Sequence, residues 1–220
     1  MRGLRPGDRA DAVVSHYHWI DSLKNSDLAH ALTSPHEQCI VQFQAKNDVT
    51  YTVNASSAGK AEREGESTLW LHDSDNTLLA SLTFRVARSH GRPVLVIGGL
   101  QGPRRNVSRE AIKQATRACH GLFPKRVLME VIFQLATQAN IHAIFAVSDE
   151  GHVFRALRYR LSKGRHFHAS YDEFWETLNG RKLSPFCWQL PLQVERKSLE
   201  EIASKKRAEY RRRFELLDDI

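Results

Sequence analysis

The run Val94-Leu-Val-Ile, followed by Gly98-Gly-Leu-Gln-Gly, limits what this chain can fold into more than any other stretch. Four apolar residues in a row, three of them β-branched, read as a short buried strand. The glycines after it mark a backbone that turns or approaches something closely, so the stretch predicts a tight strand-to-helix turn. Ser108 to Cys119 then has helical spacing, and His120-Gly-Leu-Phe-Pro-Lys-Arg opens a second helix running from Pro124 to Gln138. Proline suits a first-turn position, and a helix start flanked by Lys125 and Arg126 attracts phosphate or carboxylate. Ile141–Val147 supplies the next strand.

Upstream, Val13, Val14, Tyr17, Ile20 and Leu23 form one helical stripe within Asp11–Leu23. Strand patterns follow at Cys39–Phe43, Tyr51–Val53, Glu66–His72 and Leu78–Val86, with Asp73-Ser-Asp-Asn and Ser89-His-Gly-Arg-Pro as turns. Downstream, Arg155–His168 reads as a basic loop and Tyr171–Leu178 as a short aromatic helix, while Leu183–Leu192 carries two prolines. Ser198-Leu-Glu-Glu is a capping box that predicts a terminal helix to about Leu217. Antiparallel runs followed by helix, strand and helix predict an α+β fold with a mostly antiparallel twisted sheet flanked by helices. The expected organisation is a helical segment at 1–35, the α+β domain at 36–197 and a basic helix at 198–220.

No stretch of apolar residues is long enough to span a bilayer, and residues 1–11 lack the apolar core of a secretory signal. That predicts a cytoplasmic protein, with a peripheral place on the inner membrane left open. Cys39, Cys119 and Cys187 are odd in number and widely spaced, which argues for buried free thiols rather than disulfides or a zinc knuckle. No His-x-x-x-His lies on a helix, so no metal is expected. The net charge is +7, and it is uneven: residues 1–100 hold 10 basic and 11 acidic side chains, residues 101–220 hold 22 and 14. A polyanionic partner near the second half would explain this.

His152 follows Ser148-Asp-Glu-Gly just past a strand end, where an imidazole can act as a general base. Tyr171 opens the aromatic helix and can act as a proton donor. Gly98, Gly99 and Leu100 offer backbone amides. Gly121, Leu122, Phe123, Pro124, Lys125 and Arg126 form the anion-attracting helix start. Lys205, Lys206, Arg207, Arg211, Arg212 and Arg213 make the terminal helix basic, a pattern suited to a solvated face, nucleic acid or anionic lipid.

Several motifs together resemble the bacterial VirK/YbjX family: Gly98-Gly-Leu-Gln-Gly, His120-Gly-Leu-Phe-Pro-Lys, Ala146-Val-Ser-Asp, Tyr171-Asp-Glu-Phe-Trp and Lys205-Lys-Arg-Ala-Glu-Tyr-Arg-Arg-Arg. Phe123 stands where an arginine is more usual, and relatives are usually longer at the amino terminus. The resemblance implies a Gram-negative protein linked to virulence, antimicrobial-peptide tolerance or stress response. The order of elements also resembles the GCN5-related acetyltransferase fold. That second resemblance implies that Val94–Gly99 and Ile141–Val147 splay around an acyl-CoA thioester, with Gly121–Arg126 at the pyrophosphate. The chain departs from that pattern in its extra helix at Ser108–Cys119 and in lacking the usual Gln/Arg-x-x-Gly-x-Gly/Ala loop.

Two functions are consistent with these features. One is an acyl-CoA-dependent acyltransferase with His152 as base, Tyr171 as acid and a CoA-like anionic ligand. The other is a non-catalytic protein that uses its basic second half on nucleic acid or anionic membrane, in a DNA-damage or envelope stress response.

Overall fold

A computed structural model describes residues 6–104, 106–152 and 170–220. Its centre is an eight-stranded sheet in the order β1-β2-β3-β4-β5-β6-β8-β7. The strands are β1 Gln38–Gln44, β2 Thr50–Ser57, β3 Ser67–His72, β4 Leu78–Ser89, β5 Arg92–Gln101, β6 Ala143–Val147, β7 Arg181–Ser184 and β8 Cys187–Leu190. Helices are α1 Pro6–Asp21, α2 Ser26–Thr33, α3 Arg109–Ala118, α4 Pro124–Gln138, α5 Tyr171–Thr177 and α6 Ser204–Asp218. Neighbouring strands are antiparallel except β5 and β6, which run parallel. A parallel pair needs a long return connection, and α3 with α4 supplies it.

The mostly antiparallel α+β architecture expected from the sequence is therefore the one observed. The two predicted turns join β3 to β4 and β4 to β5 as antiparallel neighbours. Trp19 and Ile20 of α1, Leu32 of α2, Leu128 and Ile132 of α4 and Leu216 and Leu217 of α6 all enter one apolar core with the sheet. The segments before residue 36 and after residue 197 thus share the core of the segment between them.

Two local expectations need correction. Gly98 and Gly99 are not in a strand-to-helix turn but inside β5, which continues to Gln101. Thr83 pairs with Gly99 while Phe84 pairs with Ile97, so Gly98 is the extra residue of a β-bulge. The bulge changes the side-chain phase. Leu95, Ile97 and Leu100 enter the main core, while Val94 and Val96 join a smaller cluster with Ala143. Second, the Ser198 capping box forms half its bonds, with Ser198 N–H donating to Glu201 Oε2 at 2.7 Å, but it closes only a turn. The helix begins at Ser204. The proline-containing stretch after Gly180, for which the sequence gives no clear pattern, is a hairpin, with Pro185 between β7 and β8. Of the three cysteines, Cys119 is buried, Cys187 half-buried and Cys39 exposed, and all are free thiols. The basic loop expected over Arg155–His168 lies outside the described residues.

Candidate active site

The parallel pairing of β5 and β6 ends at Ile97 and Ala146. Beyond it β5 continues through the bulge to Gln101, whereas β6 gives way to the turn Ser148–Gly151. Three polar side chains meet in the wedge between them: Glu64, His152 and Tyr171. All three are buried, and His152 is only 1% exposed.

Each reaches the wedge by identifiable local chemistry. Glu64 ends a short turn after Gly59–Ala61, its N–H donating to Ala61 O at 2.7 Å. Gly65 then crosses β4 so closely that a Cβ there would stand 2.4 Å from Phe84 O, and Glu66 N–H donates to the same carbonyl at 2.9 Å. This crossing lays Glu64 on the β5 bulge. Its Oε1 lies 3.2 Å from His152 Nε2.

His152 is held by the turn beneath it. Ser148 Oγ donates to Pro185 O and accepts from Gly151 N–H at 3.0 Å, and His152 N–H donates to Ser148 O at 3.2 Å. Tyr171 arrives through an interlock of two carboxylates. Asp149 accepts from Tyr171 N–H at 2.8 Å and Ser170 Oγ at 2.6 Å, so it caps α5 from another element. In return Asp172 Oδ1 accepts from Asp149 N–H at 3.0 Å and Trp188 Nε1 at 2.9 Å, and its Oδ2 accepts from Lys182 at 2.6 Å. Trp175 Nε1 donates to Val147 O at 2.8 Å, and its ring stacks on Tyr171. Loss of freedom in these side chains is what gives Tyr171 one position.

The Tyr171 hydroxyl accepts from Leu100 N–H at 3.2 Å and from Gln101 Nε2 at 2.9 Å, and its ring centroid lies 5.1 Å from that of His152. Burial pushes the phenol well above its usual range. Leu100 N–H pulls the other way, and the carboxylates of Glu64 and Asp149 add to the rise. The phenol thus keeps its proton at neutral pH.

The helix start holds together less of what the sequence brought to attention. Pro124 has no N–H, and Arg126 N–H donates to Phe123 O at 2.8 Å, so two of the first amides are not available to a ligand. Leu122 and Pro124 are buried, whereas Phe123 is 61% exposed. Arg126 is engaged by Glu130 at 2.6 Å. Lys125 is the cation left: its chain runs beside Gly102, and desolvation lowers the pKa of its amine. Gly121, at φ +83°, lies under Arg213, whose Nε donates to His120 O at 2.7 Å. His120 itself faces a cavity of about 400 Å³ with Lys46, Arg212 and Glu215.

Cysteine chemistry has no footing here. Burial pushes the Cys119 thiol up to about 12 and raises that of Cys187 as well. Among the described residues no three His, Cys, Asp or Glu side chains converge as a metal site. None of the described helices is long and apolar enough to cross a membrane.

The motifs Gly98–Gly102, Ala146–Asp149 and Tyr171–Trp175 therefore frame one wedge. The family described as a protein of unknown function (DUF535) matches residues 1–220. The chain belongs to the VirK/YbjX family. It is similar to the uncharacterized protein YbjX of Escherichia coli (strain K12), with 38% identity over 211 residues, 96% of this chain and 63% of the relative. Two uncharacterized proteins of Haemophilus influenzae are also similar. One is 40% identical over 127 residues, 57% of this chain and 41% of its own length. The other is 31% identical over 152 residues, 69% and 48%. The chain thus spans between 41% and 63% of the length of these VirK/YbjX relatives.

Glu64, Gln101, Asp149 and Asp172 complete the site beyond the residues singled out in the sequence. Glu64 is hidden because Glu62-Arg-Glu-Gly is a short charged stretch just ahead of the strand pattern that starts at Glu66. Its one signal is Gly65, a residue that permits close backbone approach.

Proposed function

We propose that this VirK/YbjX chain is an acyl-CoA-dependent acyltransferase. What supports the reading is the parting of β5 from β6 with His152 and Tyr171 facing each other in the wedge. A sheet that is antiparallel up to one parallel pair with a helical crossover also resembles the order of elements in GCN5-related acetyltransferases, apart from the extra helix α3, which is fold-level analogy.

In this reading an acceptor amine attacks the thioester carbonyl carbon. A C–N bond forms, the C–S bond breaks, and His152 accepts the proton that the amine loses. Tyr171 gives its phenol proton to the departing thiolate and regains one from solvent. In this reading Leu100 N–H, which in the free chain donates to the Tyr171 hydroxyl, turns to the oxygen that gains charge. Lys125 would meet the phosphates, since burial lowers the pKa of its amine and an anion beside it would oppose that shift.

Isothermal calorimetry with CoA and acetyl-CoA tests this. Binding is expected, and Lys125→Ala should weaken it at least tenfold, about 1.4 kcal/mol. No heat with the wild-type chain, or unchanged affinity in the variant, overturns it.

Less supports the alternative role on nucleic acid or anionic lipid through α6. Arg207 already donates to Ile202 O at 2.9 Å, and Arg213 is tied to His120 O and lies over the Tyr210 ring. Lys205, Lys206, Arg211 and Arg212 are left as its exposed cations.

A further inference from the structure

The two adjacent glycines of β5 touch the same residue in two different ways. A Cβ on Gly98 would stand 1.7 Å from the backbone oxygen of Glu64. A Cβ on Gly99 would stand 1.7 Å from Glu64 Oε2, its side chain. Nothing else comes nearer to either position. Both glycines are accounted for by one internal residue, Gly98 by its backbone and Gly99 by its carboxylate, rather than by a ligand.

We infer that Gly98-Gly99 is a slot for Glu64, and that Glu64, seated there, is the positioning residue that fixes which ring nitrogen of His152 does chemistry. Glu64 Oε1 lies 3.2 Å from His152 Nε2, at ion-pair distance but out of line for a hydrogen bond, and neither side chain has appreciable contact with water, so the carboxylate acts on the ring through its charge. A carboxylate held beside one nitrogen of a neutral imidazole favours the tautomer with its proton on that nitrogen. That places the proton on Nε2 and the lone pair on Nδ1. The slot explains why the bulge residue and its neighbour both lack a side chain, and why a charged loop is drawn across β4 at Gly65. The base assignment of His152 rests on the acyltransferase reading; the pairing and the slot do not.

The two glycines make the test discriminating. At Gly99 the obstructing atom is the end of a flexible side chain, so Gly99→Ala should fold and displace the carboxylate. At Gly98 the obstacle is backbone, so Gly98→Ala should lower the melting temperature sharply. Combining each with Glu64→Ala separates them: the loss from Gly99→Ala largely disappears in that background, and the loss from Gly98→Ala persists. Ring ¹⁵N shifts of His152, measured on the full chain without ligand above the pH at which the ring is charged, give the second readout. The wild type should show the Nε2–H tautomer. Glu64→Gln and Gly99→Ala should shift the population toward Nδ1–H, and Glu64→Asp should restore it in part.

An Nδ1–H wild type, a population unmoved by Glu64→Gln, or equal persistence of both glycine losses would overturn the inference. Calorimetry with CoA keeps the two ideas apart. A wild type that binds no CoA yet shows the Glu64-dependent tautomer ends the acyltransferase reading and leaves the slot standing.

Discussion

At the scale of single residues, the clearest buried switch is His16, on α1. Val86 N–H donates to its Nδ1 at 3.0 Å, so that nitrogen has no proton. The other nitrogen, Nε2, then donates to Ser67 Oγ at 2.9 Å, and Ser67 donates to Leu32 O at 2.9 Å. One imidazole thus fastens α1 to β3, β4 and the end of α2, and it does so only when neutral. Burial, and secondarily Arg85, lowers its pKa from 6.5 to about 4. The unfolded chain therefore binds the proton first as pH falls. Stability is full above pH 6.5 and declines between 6.5 and about 4, by about 3 kcal/mol at 1.36 kcal/mol per unit. Urea denaturation at pH 7.5 and pH 4.5 should show this fall. His16→Gln, which does not titrate, should be less stable at pH 7.5 and lack that part of the slope. A wild-type slope retained in the variant would refute the assignment.

The same scale shows what sequence can and cannot reveal. His152 and Tyr171 stood out because each lies at the end of a patterned element. Glu64 did not, since its role depends on a loop crossing a strand and meeting residues more than thirty positions later. Nothing local distinguishes a glutamate that will be buried from one that will be solvated.

Among elements, the α5 start and the β6 end hold each other through Asp149 and Asp172. Burial alone would raise the pKa of Asp172, but Lys182, Asp149 N–H and Trp188 more than offset it, and the net shift is downward. Asp172→Ala leaves Asp149 N–H and the Trp188 indole without their acceptor and should cost about 3 kcal/mol. Asp172→Asn keeps an oxygen for both and loses chiefly a partly exposed pair with Lys182, so it should cost about 1 kcal/mol or less. Thermal or chemical denaturation of the two variants decides it, and equal losses would mean that the ion pair, not the interlock, matters. The element boundaries were legible wherever one period or cap dominated. Ser108 caps α3 through Ala111 N–H, and Pro124 opens α4. The glycines of β5 misled because a bulge and a turn call for the same residue. The Ser198 box misled because its bonds close a single turn as well as they start a helix.

For the whole molecule, α6 is a structural member before it is an interaction surface. Leu216 and Leu217 lie in the main core, and Arg213 braces the α3–α4 turn. Deleting residues 198–220 should therefore lower the melting temperature by many degrees or leave the chain insoluble, and says nothing about partners. Reversing Lys205, Lys206 and Arg211 to glutamate touches only exposed positions. It should leave the melting temperature within a few degrees, since surface substitutions cost about 0.5 kcal/mol or less each. If α6 engages polyanions, that triple variant abolishes binding that weakens steeply with salt. Unaltered binding would dismiss α6 as the contact.

The lone parallel junction also dictates a timetable for assembly. Strands β1 to β5 are each joined to the next by a short connection, so they can zip in sequence with little entropy lost to loop closure. The β5–β6 seam must wait until the whole crossover, from Gly102 to His142, has condensed against the sheet. The wedge that holds Glu64, His152 and Tyr171 lies on the late side of that seam, so it comes into being last.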